Sequence, residues 1–437
     1  MADNALPTIT VDRLRVGMFV VLNVGWQNHP FPFNSFKLRT GEQLNVLRSL
    51  NLDKVQYDPA RSDVAPLPPS RPAGPTALLT EPTAENRAEL EASAEPMAAE
   101  VEPAWRDLLA EQTTALKRCE ARYQQAVDRY RQLSKYLSSD PNAARAAADK
   151  VVSGLLDEVR VDHEVSLRVL SDTLGEHGSS HSVNVAVLCV LLAQASDFGE
   201  PAMTDVVQAA LLHDIGKQRL PSFLQRETPS LNDFERKTHR RHVEFSIEAA
   251  RQLGVSPATI RAIEEHHEAM DGSGYPYGLR GEQISPAGRL LGLVNRYENL
   301  VSPDEKDPGM TPHDALAYIY ARERQRFDPR ILALFVKMMG VYPPGSLVEL
   351  SDQRLAIVLS ALPGAALSPR VMIVDDPKST EHGLAVDLND QIDLRVVRSL
   401  KADELDADWA RLVRRTSRGG YYIDAVHAGA VNHAVPA

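Results

Sequence analysis

Only two cysteines, Cys119 and Cys189, occur in 437 residues. That excludes a disulfide framework and fits a reducing compartment. No stretch approaches the ~20 consecutive apolar residues of a bilayer span, and Met1 to Arg15 holds no apolar core of the signal-peptide kind. The expectation is a cytoplasmic protein with no membrane partner. Basic excess is missing too: 48 Lys and Arg against 59 Asp and Glu leave a net charge of −11. A surface that tracks polymeric nucleic acid is thereby excluded, and an anionic small substrate needs a local cluster of positive charge.

What is present divides by composition. Residues 1–58 carry short β-rich runs around Ile9, Val11 and Met18 to Val24, with aromatic mass at Trp26, Phe31, Phe33 and Phe36, and read as a small β-rich domain. Residues 59–103 are rich in Pro, Ala, Glu and Ser and bury too little apolar surface to offset their ordering entropy, so they read as linker. Residues 104–160 form a helical connector. In it Leu109, Leu116, Tyr123, Tyr130 and Leu137 recur every seven residues, with mostly small or polar companions at Gln112, Cys119 and Ala126. A helix leaning on the next domain is the plain reading, and a homodimer seam the alternative. Residues 161–340 read as almost all helix, and 341–437 as an appendage with strands at Ser346–Leu350, Leu355–Leu359 and Arg370–Val374. The fold class is thus mainly α with small β-containing ends.

Eight of the thirteen histidines fall between His163 and His267. At their centre His213-Asp214-Ile215-Gly216-Lys217 closes the apolar run Val206–Leu212, so an imidazole and a carboxylate leave one helix end side by side. His181 sits on an earlier helix with the apolar stripe Val183, Val187, Val190 and Leu191. His242 sits on one drawn from Phe234 to Leu253, and His266-His267 on one from Pro257 to Glu268. Imidazoles and a carboxylate converging from separate helices are what a catalytic pair of first-row ions needs, which points to a metal-dependent hydrolase. A carboxylate can bridge ions ~3.5 to 4 Å apart and neutral imidazoles fix each one. Adjacent side chains on a helix point ~100° apart, so His266 and His267 can share a site only if the helix ends there. His239, within the basic run Arg236 to Arg241, reads as part of a solvated face or as an attractor of phosphates.

The pentad at 213–217, His266-His267-Glu268, and the string from Asp271 to Ile284 (DGSGYPYGLRGEQI) together resemble the HD-GYP domain, a bacterial subgroup of the HD metal-dependent phosphohydrolases. Lesser echoes are His181-Ser182-Val183, Leu220-Pro221, Arg289 and Phe327-Asp328-Pro329. Leu14-Arg15-Val16-Gly17-Met18 with Trp26 and His29-Pro30-Phe31 is similar to the domain of unknown function that often precedes it. The resemblance implies an all-helical HD-type domain that hydrolyses cyclic di-GMP in bacterial signalling. It implies two divalent ions, iron or manganese, held by His181, His213, Asp214, His242, His266 and His267, with Asp214 as the bridge. Lys217 would stabilise transition-state charge, and Lys217, Arg289, Gly274 and Tyr275 would meet substrate. His177, one turn before His181, stands where some members place a further metal ligand.

This chain departs from the family at two places. Asn295 replaces an aspartate that completes one metal's shell, which removes one negative charge. The segment Ser302 to Pro308 replaces a basic substrate-holding stretch, with Lys306 as its one lysine. Three readings follow: a cyclic dinucleotide phosphodiesterase slowed by Asn295, a non-enzymatic module that senses the nucleotide or docks a signalling protein, and a phosphohydrolase for another nucleotide.

Overall fold

Proline and a capping side chain start helix after helix. Asp140-Pro141, Ser256-Pro257, Ser285-Pro286, Thr311-Pro312 and Asp328-Pro329 each place an oxygen on a free N–H of the first turn, with proline just inside, where its missing N–H costs nothing. The structure is a computed structural model. It describes residues 7–22, 35–38, 44, 47–48, 54–59, 62, 64, 66–67, 110, 112–160, 165–170, 177–228, 230–302, 309–361, 366–374, 376–378, 385–390, 394–401, 404–417 and 420–425. Most of the segment read as linker lies outside them. Contacts divide the chain into two units, Met1–Asp107 and Leu108–Ala437.

In the first unit, β1 (Thr8–Thr10), β2 (Phe19–Val21), β3 (Ser35–Lys37) and β4 (Lys54–Asp58) form an antiparallel sheet in the order β1-β4-β2-β3. Leu14, Met18, Val20, Leu38, Leu47 and Val55 close its core.

The second unit is mainly helical, as the fold class expected. Its helices are α1 (112–136), α2 (Pro141–Val159), α3 (His177–Ala195), α4 (Glu200–Leu212), α5 (Asp233–Arg240), α6 (His242–Gln252), α7 (Pro257–Glu265), α8 (Pro286–Val301), α9 (Pro312–Tyr318), α10 (Pro329–Met339) and α11 (Ala407–Ser417). From Val183 to Ala193 every residue of α3 is buried, so it runs through the middle of the bundle rather than lying on it by one stripe. The heptad face of α1 is covered within the same unit: Leu116, Cys119, Tyr123, Tyr130 and Leu133 are all buried in the main core. In place of one helix from Phe234 to Leu253 there are two, broken at Arg241. The break lets His242 Nδ1 reach the His239 carbonyl at 2.8 Å.

The segment expected to be almost all helix contributes one strand, β5 (Val165–Val169), and this joins the sheet of the segment read as an appendage. That sheet runs β10 (Val396–Ser399), β6 (Leu347–Leu350), β7 (Leu355–Ser360), β5, β11 (Tyr421–Ala425), with β8 (Arg370–Val374) paired to β7 off this path and β9 (Ala385–Asp387) paired to β8. Strand β11 pairs antiparallel with β5 along its whole length. A buried ion pair, Arg168 to Asp424 at 2.7 Å, ties the two, and a Cβ at Gly420 would lie 2.1 Å from the Tyr123 ring. The stretch without an evident role in the sequence thus closes the domain onto α1.

Candidate metal centre

The end of α4 delivers His213 and Asp214 into the middle of the bundle. His213 still takes the last helical hydrogen bond, from its N–H to Ala209 O at 2.8 Å, and the chain then turns into a short 3-10 segment. That turn presses on α6: a Cβ at Gly216 would lie 2.3 Å from His242 O, and Gly216 N–H donates to Ser246 Oγ at 2.9 Å. Only glycine permits this approach, which brings His242 up to Asp214. Helix α7 stops at Glu265 with His266 as its cap, so the helix does end at the histidine pair, and the two rings lie 4.0 Å apart.

Around Asp214 the imidazoles divide into two groups, one per carboxylate oxygen. Oδ2 faces His181 Nε2 at 3.4 Å and His213 Nε2 at 3.3 Å. Oδ1 faces His242 Nε2 at 3.4 Å and His266 Nε2 at 3.9 Å. Ligand atoms of Asp214, His242, His266 and His267 lie within 4.8 Å of one another, as do those of His181, His213 and Asp214. Lys217 Nζ is 2.5 Å from Asp214 Oδ2.

Hydrogen bonds at the far edge of each ring fix which nitrogen is bare. Nδ1 of His213, His242 and His266 donates to the carbonyls of Ala210, His239 and Ile263 at 2.8, 2.8 and 2.5 Å, and Nδ1 of His181 donates to Glu298. Nε2 of each is then a lone pair aimed inward. His181 and His213 bring two such lone pairs within 3.3 Å, and His242 and His267 bring their Nε2 atoms within 3.1 Å. Asp214 Oδ1 and His266 Nε2 are buried with no hydrogen-bond partner. Converging acceptors without donors need a cation between them. Ligand atoms about 2.0–2.1 Å from a tetrahedral ion lie roughly 3.3 Å apart. The residues therefore fit a pair of divalent ions.

Electrostatics match that demand. Burial drives His242 down to about 3, and holds His266 and His267 well below the usual histidine range, so these three are neutral. Burial opposes charge on Asp214, but Lys217 and the imidazoles outweigh it and keep the carboxyl ionised. At His181 burial is likewise outweighed, by Glu298 and Asp214, and the ring is raised to about 9. Without an ion, a proton on His181 Nε2 supplies the missing positive charge, and an ion bound there would displace it and leave that nitrogen bare as well.

Sequence reasoning missed Glu298. It is buried on α8, its Oε2 meets His181 Nδ1, and its Oε1 accepts from Asn184 Nδ2 at 3.1 Å. Its position near the end of α8 gave no signal that it faces inward.

The GYP loop supports His267. Gly274 packs where a Cβ would meet Ala269 N at 2.4 Å and His267 O at 2.5 Å. Tyr275 stacks on His267 with ring centroids 4.5 Å apart, and Glu268 accepts from Tyr277 N and Leu279 N at 2.6 and 2.9 Å. Other residues named from sequence have partners of their own or lie outside the described residues. Arg289 is turned to Asp328 Oδ2 at 3.0 Å and Ile284 O at 2.9 Å, a clamp between helix starts. Asn295 is buried, and its Oδ1 accepts from Asn299 Nδ2 at 2.8 Å. His239 is buried instead of solvated, bonding Leu224 O at 2.7 Å. His177 begins α3, its side chain outside the described residues, and Lys306 lies outside them altogether.

Comparison with known proteins agrees with this geometry. A family model described as HD domain matches residues 164–331, and one described as a domain of unknown function, DUF3391, matches 6–148. The cyclic di-GMP phosphodiesterase PA4108 of Pseudomonas aeruginosa is 29% identical over 444 residues, covering 96% of this chain and 99% of that one. The cyclic di-GMP phosphodiesterase response regulator RpfG of Xanthomonas campestris is 32% identical, over 32% of this chain and 38% of its own. The 3'3'-cGAMP-specific phosphodiesterase 2 of Vibrio cholerae is 29% identical, over 36% of this chain and 31% of its own. The chain spans nearly all of the first and about a third of the other two. The chain carries an HD domain, with a DUF3391 segment ahead of it.

Proposed function

We propose that this chain is a two-metal phosphodiesterase that hydrolyses cyclic di-GMP. One observation carries the reading: each oxygen of Asp214 has its own pair of imidazoles, with bare nitrogens aimed inward. In this reading His181 and His213 would hold one ion and His242, His266 and His267 the other, with Asp214 shared between them. Iron or manganese suits a set of imidazoles with one carboxylate. Bound there, such ions acidify water and draw charge from a phosphoryl oxygen. Lys217 sets a positive charge beside Asp214, where it meets the charge that develops on phosphorus oxygens during attack. Tyr275 walls the site over His267. Water adds across one P–O bond and leaves a linear dinucleotide.

The cytoplasm suits both the substrate and two buried free thiols, and among the described residues no helix is long and apolar enough to cross a membrane. The division into a β-rich start, linker, connector, HD-GYP domain and appendage stands as part of the same proposal. A second reading rests on Asn295, whose amide brings no charge and whose Oδ1 is engaged by Asn299. In it the protein binds cyclic dinucleotide, or docks a signalling protein or a second copy, without turnover. Protein purified without air and supplied with ferrous iron or manganese decides between them. Linearisation of cyclic di-GMP that Asp214→Ala abolishes supports the enzyme, and tight binding without product supports the sensor. Turnover of 3'3'-cGAMP alone would move the substrate to the mixed dinucleotide.

A further inference from the structure

We infer that Arg240 is the residue that binds the second, non-reacting phosphodiester of the substrate, and so sets affinity for a cyclic dinucleotide over a simple diester. The inference rests on the phosphodiesterase reading. A cyclic dinucleotide carries two negative charges, and the protein carries a net −11, so the phosphate away from the ions needs its own cation. Most of the arginines in and around the basic run are already engaged. Arg236 pairs with Glu227 at 3.1 Å, Arg241 with Glu244 at 3.3 Å, Arg289 with Asp328 at 3.0 Å and Arg296 with Glu323 at 2.7 Å. Lys217 is held by Asp214.

Arg240 differs from them. It is exposed at the end of α5 and, among the described residues, has no carboxylate partner. Its guanidinium carbon lies 4.3 Å from the centroid of the Tyr275 ring, and that ring stacks on His267. A cation–π contact engages the face of a guanidinium and leaves its in-plane N–H groups free, the edge that clasps phosphate in a bidentate way. The stack His267–Tyr275–Arg240 therefore carries an uncommitted donor edge from the ion site toward solvent. Lys237, also unpaired among the described residues, stacks on no ring of the site.

The test is steady-state kinetics on the full chain loaded with manganese, using cyclic di-GMP and bis(p-nitrophenyl) phosphate, which has one phosphodiester. Arg240→Ala should raise KM for cyclic di-GMP about tenfold or more, keep kcat within about threefold, and leave the simple diester unchanged. Arg240→Lys should fall between, and Arg241→Ala should match wild type. If wild type turns over cyclic di-GMP and Arg240→Ala leaves its KM within about twofold, the inference alone is overturned. Equal losses on both substrates also overturn it, because Arg240 would then only support Tyr275. If wild type hydrolyses the simple diester but not cyclic di-GMP, the functional reading fails and takes this inference with it.

Discussion

Glu298 holds His181 by its Nδ1 edge and so turns the other nitrogen toward Asp214 Oδ2 at 3.4 Å. Both groups are largely buried, and burial, which opposes charge on Glu298, is outweighed by His181, leaving the carboxyl below its ordinary range. A carboxylate behind an imidazole fixes its tautomer and raises its basicity. Glu298→Gln should therefore weaken metal binding at the His181 side by roughly 10- to 100-fold, and the group formed by His242, His266 and His267 should change little. Metal titration that resolves two affinities checks this. An equal loss at both would mean that Glu298 supports the fold and not one ligand.

The same carboxylate is part of a longer network. Asn184 Oδ1 accepts from Tyr123 Oη at 2.9 Å and from Tyr421 N–H at 3.1 Å, while its Nδ2 donates to Glu298. Helix α1, strand β11 and the candidate centre thus meet at one buried amide. Asn184→Ala removes the buried amide that serves three polar groups at once and should cost roughly 1–3 kcal/mol in urea unfolding. It should also weaken metal binding, because Glu298 loses a donor. A loss under about 0.5 kcal/mol would place the network among the inconsequential contacts.

The metal-free protein should be most stable near pH 6.5. His242, depressed by burial to about 3, and His266 and His267, held by burial well below the usual histidine range, stay neutral in the fold while an unfolded histidine titrates near 6.5. Below that pH the unfolded chain binds protons that the folded one refuses, so stability falls from about pH 6.5 toward pH 3. His181 acts in the opposite direction. Raised to about 9, its contribution is complete below about 6.5 and is lost as pH rises through 9. Melting temperatures from pH 4 to 9 should trace a dome, and metal should flatten its alkaline side by displacing the His181 proton. A flat profile would contradict the assigned protonation states.

The gathering of imidazoles around Asp214 was legible in the sequence because histidine beside aspartate has narrow chemistry, and because the run Val206 to Leu212 announces the helix that delivers the pair. Glu298 was not legible. A glutamate near a helix end reads as solvated until the packing of α3 against α8 places it behind His181. The direction of Arg289 was not legible, because its motif position says nothing of the Asp328 partner that stands at another helix start. His239 was hidden by basic neighbours, although its ring turns inward on the same break that frees His242. Strand β5 has the right alternation, Val-Ser-Leu-Arg-Val, but its partner stands far along the chain, with Arg168 and Asp424 separated by 256 positions. Short apolar runs do not reveal partners at that distance.

The shared carboxylate is most directly tested by metal stoichiometry and electron paramagnetic resonance on the manganese-loaded protein and its Asp214→Ala variant. The account predicts two ions per chain with a spin-coupled signal, and loss of both the coupling and at least one ion in the variant. A single ion per chain, or two uncoupled ions that survive the substitution, would contradict it.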